Sequence, residues 1–235
     1  MRYKTESHLH ALTILEGEFA DEWKDLRLAF EALRPTLRDA APFTDNARPL
    51  TPKRHKRSLE GKSRYALLPI DQNGMNTQLA GELRGWRRQP FVLGRTIGGE
   101  IDTHLKGDFE RNGVFVEVEF GNAASLFRDL FKFHIAGQSG VGKAGVLVVA
   151  MGSISRLFDS GVTHFEQVVR LLPYMRIGLN LPVLIVGLDV EDWAPVKLRY
   201  EEMERVATAN GVSCHSFDLV RRIDAADSDA STEET

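Results

Sequence analysis

The chain has 235 residues, a formal net charge of −3, 43% hydrophobic and 27% charged residues, and one cysteine. Those proportions suit a soluble globular protein large enough to bury a well-packed core. The lone Cys214 excludes an internal disulfide framework and fits a reducing compartment. The opening MRYKTESHLHAL has no secretory apolar run and no stretch approaches the ~20 apolar residues that span a bilayer, so a cytoplasmic protein without membrane contact is expected.

In chain order, Leu12, Leu15, Phe19, Trp23, Leu26 and Phe30 recur at three- and four-residue steps and predict an N-terminal helix that Pro35 ends. Arg48 to Arg64 is strongly basic and interrupted by Pro49 and Pro52, which makes it a loop or irregular arm. It is either a solvated face or, on a mildly acidic protein, a surface for a phosphate-rich partner. A second basic group, Arg84, Arg87, Arg88 and Arg95, follows. Asn73 can cap a helix over MNTQLAGELRGWRRQ that stops before Pro90.

The pattern then changes. IGGEIDTHLKGDFERNGVFVEVEF predicts two strands joined by a tight turn, AASLFRDLFKFHIAG an amphipathic helix, and AGVLVVAMG a buried strand. HFEQVVRLLPYMRIGL predicts a helix interrupted or ended near Pro173, LPVLIVGLDV a second buried strand, and VKLRYEEMERVATANG a helix stopped by Gly211. The connections between the last strands are long enough for crossover helices. The expected class is therefore α/β, a mixed central sheet flanked by helices with a helical region at the N-terminus. The expected organisation is one domain over 1–223, with a helical and basic-arm part over 1–95 and an α/β core over 96–223. An acidic, disordered tail over 224–235 follows it.

The chemically informative run is KGDFERNGVFVEVEF. Asn112-Gly113 is a strong hairpin signal, because a type I′ turn needs positive φ at both central residues. With those two in the turn, Arg111 pairs with Val114, Phe109 with Val116 and Asp108 with Glu117, whose Cβ atoms would lie about 4.5–5.5 Å apart. Alternation places Glu119 on the face of Glu117. Three carboxylates gathered on one face repel, and a divalent cation such as Mg²⁺, which prefers oxygen ligands, would offset that. The plainer alternative is a solvated acidic edge, with Lys106 opposite Glu119 as a surface ion pair.

The run GDFERNGVFVEVEFGNAASLFRDLFKF resembles the catalytic core of the BglII/BstYI-type restriction endonucleases of the PD-(D/E)XK nuclease superfamily. YKTESHLHALTILEGEFADEWKDL resembles that family's N-terminal helical region, NGMNTQLAGELRGW its helix ending in Gly-Trp, and LPVLIVGLDV its last core strand. The resemblance implies a restriction-endonuclease-like fold and Mg²⁺-dependent hydrolysis of double-stranded DNA at a short palindromic site by a homodimer. By the same resemblance Asp108 and Glu117 are the metal-binding carboxylates, with Asp102 a rival for the first. Glu119 stands where relatives carry Gln, Glu or Lys, which is similar to the BamHI-type variant and leaves open whether it is base or ligand. Glu82 occupies roughly the place of an accessory helix glutamate. Lys53, Arg54, Lys56 and Arg57 of the arm, and Lys143, are the expected DNA contacts.

Gly137 to Ala144, GQSGVGKA, nearly matches a P-loop. Ala144 replaces the Mg²⁺-binding hydroxyl, however, and a helix precedes the segment while a strand follows it, the reverse of a P-loop's setting. A glycine-rich helix-to-strand turn is the expected structure. Two other functions therefore stand beside restriction: a DNA-binding protein of nuclease fold without restriction activity, and a P-loop nucleotide-binding protein.

Overall fold

A computed structural model describes residues 1–40, 64–65, 68–90, 105–121, 123–158, 161–175, 178–209 and 213–214. The basic residues of the arm other than Arg64, with Arg95, Asp102, Gly211 and the acidic tail, lie outside that set. The chain divides into two compact units, Met1–Arg34 with Gln72–Glu191, and Pro35–Asp71 with Asp192–Thr235.

The first unit opens with strand β1 (Arg2–His8), then helices α1 (Ala11–Gly17), α2 (Ala20–Ala32) and α3 (Gln72–Glu82). Strands β3 (Arg87–Arg88), β4 (Phe109–Arg111) and β5 (Val114–Glu119) lead into α4 (Ala123–Gln138). Strand β6 (Ala144–Ala150), α5 (Gly152–Phe158), α6 (Phe165–Met175) and β7 (Val183–Asp189) complete it. The strands form one six-stranded sheet in the order β1-β7-β6-β5-β4-β3. β5, β6 and β7 run parallel, while β1, β4 and β3 pair antiparallel with their neighbours. The sheet is mixed, as the sequence predicts.

Its centre is made by composition. AGVLVVA and VLIVGLD are buried at every position, which is why they read as continuous apolar runs rather than as alternations. Both faces are covered. On one, Phe115, Leu147, Val149, Val183 and Ile185 pack with Leu126, Leu130 and Phe133 of α4 and Phe165, Val168 and Leu172 of α6. On the other, the Phe120 ring stacks on Phe158 of α5 at a centroid distance of 5.0 Å, and Tyr3 of β1 meets Trp23 and Phe30 of α2 edge-on.

Several expectations shift. The N-terminus begins with a strand, because RYKTESH pairs along β7 from Arg2↔Asp189 to His8↔Val183; its alternation of exposed and half-buried polar residues is an edge strand's and carries little apolar signal. The single N-terminal helix is two, broken between Gly17 and Ala20. The helix read as running to Gln89 ends at Glu82, and Arg87 and Arg88 pair with Glu110 and Phe109 as a strand. α6 continues through Pro173 into its last turn. α5, a short helix, carried too few residues for a periodicity.

The described part of the second unit holds α7 (Ala194–Ala209) and two short parallel strands, β2 (Arg64–Tyr65) and β8 (Ser213–Cys214). The Arg199 guanidinium donates to the Arg38 carbonyl at 2.6 Å, and Arg38 Nε donates to the Ile70 carbonyl at 3.1 Å.

Candidate active site

The β4–β5 hairpin turns on Asn112 (φ 52°) and Gly113 (φ 88°), with the pairs Arg111↔Val114, Glu110↔Phe115 and Phe109↔Val116. This is the register that the Asn-Gly turn predicts. Its tip is held from two sides. Glu22, buried on α2, accepts from Asn112 Nδ2 at 2.7 Å and pairs with Arg111 Nε at 3.2 Å, while Arg111 also reaches Asp25. From the other side the Lys143 amide donates to the Gly113 carbonyl at 2.8 Å.

At the open end of the hairpin, the Asp108 amide donates to the Val116 carbonyl at 3.2 Å, and the Val118 amide donates to Asp108 Oδ2 at 2.8 Å. The aspartate side chain thus stands in for backbone at the point where the ladder ends. Glu117 and Glu119 share the face of Phe115, which is the face that α4 covers. Their side chains are therefore enclosed, at 1% and 6% exposure. Beside its apolar stripe α4 carries Ser125, Asp129 and Lys132, one turn apart, and these close over the carboxylates. Lys132 Nζ is 2.7 Å from Glu117 Oε2 and 2.9 Å from Asp129 Oδ1. Glu119 Oε1 accepts from the Gly121 amide at 2.6 Å, and Arg128 Nη2 lies 3.8 Å from Glu119 Oε2. A Cβ on Gly121 would sit 2.8 Å from Glu119 Oε1, so glycine leaves the room this contact needs.

The electrostatics follow from that enclosure. Burial pushes the Glu117 carboxyl up to about 9, against the pull of Lys132. Burial, and then the neighbouring Asp129, push Glu119 up to about 7. Asp108 is raised by burial, with the Val118 amide and Lys132 acting the other way. Burial pulls Lys132 down, but Glu117 and Asp129 outweigh it and leave the ammonium raised. Groups shifted this far by desolvation and neighbouring charge are typical of reactive sites.

A small open cavity of about 180 Å³ adjoins this group, lined by Asp108, Val118, Asn76, Leu79, Arg88 and neighbours. Asn76 Oδ1 in its wall and Glu117 Oε1 on the strand opposite Asp108 are both buried without a hydrogen-bond partner. An unpaired buried acceptor is costly unless something outside the chain meets it. Among the described residues no group of three or more His, Cys, Asp or Glu side chains is set to hold a metal ion by itself. The two neighbouring carboxylates of Asp108 and Glu117 nevertheless fit Mg²⁺, which uses one or two carboxylates and completes its shell with water and phosphate.

The structure thus puts Asp108 beside Glu117 and encloses Glu119 on the same strand face, and it leaves others apart. Glu82 is exposed, and its direction on α3 is about 120° from that of Asn76 at 100° per residue. Lys143 stands beside the hairpin tip, about 16 Å along β5 from Glu119 at ~3.3 Å per residue. Lys53, Arg54, Lys56, Arg57 and Asp102 lie outside the described residues, and Lys106, opposite Glu119 in the hairpin reading, is exposed. The ammonium at the carboxylates belongs to Lys132. Sequence reasoning passed over Lys132, Asp129 and Asn76. The signal for the first two was the i, i+3 spacing of Asp129 and Lys132 beside Leu126, Leu130 and Phe133; for Asn76 it was its place one turn before Leu79. The near P-loop joins the end of α4 to β6, and Ala144 is wholly buried opposite Val114.

Comparison with known proteins agrees with this architecture. The family model described as restriction endonuclease BglII/BglIII matches residues 3–188. A crystal structure of restriction endonuclease BglII complexed with a DNA 16-mer superposes with a TM-score of 0.58 at 18% identity, covering 83% of this chain and 78% of that one. A crystal structure of free BglII gives 0.50 at 17% identity, covering 83% and 82%. At these identities the likeness is one of fold. Compared with curated proteins, the sequence matches none.

Proposed function

Because the chain belongs to the restriction endonuclease BglII/BglIII family and is a DNA-binding deoxyribonuclease, we propose that it is a type II enzyme, cutting both strands of duplex DNA at a short palindromic site with Mg²⁺. The observation that carries this reading is Glu117 Oε1, enclosed beside Asp108 without a partner. A divalent ion held by Asp108 and Glu117 would lower the pKa of a bound water and stabilise charge on the scissile phosphate. The chain's own groups do the rest. Asp108 has one oxygen committed to the Val118 amide and the other free for the cavity. Glu119, pushed up to about 7, is poised to accept a proton near neutral pH. Arg88, exposed at the cavity rim, meets the phosphate, and Lys53, Arg54, Lys56 and Arg57 add salt-dependent contacts along the backbone.

Two active sites are needed to cut two strands, and a two-fold dimer matches a palindrome. Phe127 and Phe131, one turn apart on α4, are 56% and 53% exposed and offer an apolar stripe to a second copy. Among the described residues no helix is long and apolar enough to cross a membrane, and a cytoplasmic location belongs to the same proposal.

Plasmid digestion with Mg²⁺, repeated in EDTA and followed by sequencing of the fragment ends, tests the reading. Discrete metal-dependent fragments with identical ends are expected. DNA binding with no cutting under any divalent metal would overturn it. Sedimentation of the wild type and of Phe131→Glu tests the dimer, which the glutamate should weaken.

A further inference from the structure

The two oxygens of Glu117 have different surroundings. Oε2 lies 2.7 Å from Lys132 Nζ. Oε1 has no hydrogen-bond partner and faces Gly107, where an added Cβ would come within 3.0 Å of it. Asp108, the next residue along, lies close enough for its charge to raise the Glu117 carboxyl further. Lys132 is itself only 6% exposed and has a second partner one helical turn back, Asp129 Oδ1 at 2.9 Å. Asp129 is 2% exposed.

A buried ammonium between two carboxylates therefore stands next to the place a divalent cation would take. A cation against Oε1 and an ammonium on Oε2 of the same carboxylate repel, and enclosure makes that repulsion strong. Asp129 offers the ammonium another seat within reach of side-chain rotation.

We propose that Lys132 is the resident counter-ion of Glu117: it holds Oε2, leaves Oε1 as the oxygen presented to the metal, and passes to Asp129 when the metal arrives. The inference rests on the metal-dependent reading given above. Lys132 is a positioning residue in this scheme, acting through Glu117.

The test is a Mn²⁺ titration of the full chain without DNA, read by the electron paramagnetic resonance signal of free Mn²⁺, together with single-turnover cleavage. Lys132→Met keeps the length and removes the charge. It should bind Mn²⁺ about tenfold tighter, through lost repulsion, yet cleave at least about tenfold more slowly, because Glu117 is no longer confined to one oxygen. Asp129→Asn should bind Mn²⁺ at least about threefold more weakly, since the ammonium has nowhere else to go, and should have no further effect in the Lys132→Met background. Lys132→Arg should stay within about threefold of wild-type affinity. A structural brace would instead lower affinity, cleavage and thermal midpoint together. That pattern, unchanged affinity in Lys132→Met, or an Asp129→Asn effect that persists in the double variant, overturns the proposal. If Lys132→Met does not fold, Asp129→Asn alone decides, since unchanged or tighter binding overturns it. A wild type that binds no Mn²⁺ sinks the metal reading and this inference together; a wild type that binds while the variants do not differ sinks the inference alone.

Discussion

The two ends of the β4–β5 hairpin are built from the same residue types and do opposite things with them. At the tip, carboxylates are cancelled. Glu22 meets Asn112 and Arg111, Asp25 meets Arg111, and Glu110 meets the Gly113 amide and Arg87. At the open end, Glu117 and Glu119 are shut under α4, and one carboxylate oxygen is left with no partner. The tip is a finished network, which stiffens what it joins. The open end is an unfinished one: even with Lys132 among the carboxylates, Glu117 Oε1 is left unpaired, and a cation would complete it. Rigid support at one end of a strand pair keeps the costly arrangement at the other in place.

The largest effect that would break this comparison is at Glu117. Glu117→Ala should reduce cleavage by about a thousandfold or more, the scale of losing metal-assisted catalysis. DNA binding by gel shift should change little. Near-wild-type turnover in this variant would place the chemistry elsewhere.

Next in size is the response of the metal-free protein to pH. Glu119 is raised to about 7, so the native state holds a proton that the unfolded chain releases near 4.5. The stability this gives is fully present below that value and is lost as pH rises through about 7, by at most about 1.4 kcal/mol per pH unit. In EDTA the thermal midpoint should therefore fall across that range, and Mg²⁺, which binds the ionised form, should flatten the fall. A midpoint that climbs with pH in EDTA would contradict the burial-driven shifts.

The tip gives smaller, purely structural effects. Glu22→Ala strands the Asn112 side-chain amide and leaves the Arg111 guanidinium to Asp25 alone, and urea unfolding should show a loss of about 1–2 kcal/mol. Cleavage per folded molecule should be unchanged, because the tip only supports. Gly113→Ala should cost about 1 kcal/mol or somewhat more: φ is +88° and the new Cβ would lie 2.7 Å from Lys143 Cγ. A loss of activity larger than the loss of stability in either variant would erase the distinction between the two ends.

How much of this could be read in the sequence depends on the range of each interaction. The hairpin was legible because Asn112-Gly113 fixes register locally, and register places Asp108 beside Glu117 by counting. The buried strands were legible from their unbroken Val, Leu and Ile. β1 was not, since an edge strand with polar alternation owes its existence to β7, far along the chain. The site was legible only in part for the same reason. Alternation gave Glu117 and Glu119 a common face, but that this face is the one α4 covers depends on a crossover and on Leu126, Leu130 and Phe133 finding Phe115. Without it Glu119 pairs on paper with Lys106. With it the carboxylates are enclosed, and the cation beside Glu117 comes from α4.

The Val118 amide is tied to a side-chain oxygen of Asp108, so in a nuclear magnetic resonance spectrum its proton shift and its exchange with deuterium report on that carboxylate rather than on the strand. Asparagine at Asp108 would have to turn its oxygen to that amide and would then show an NH₂ group to the cavity. It replaces an acceptor by a donor at one of the two residues that would receive a cation. The substitution usually chosen as the mildest reverses the polarity of the pocket, and alanine, which merely empties it, is the gentler probe.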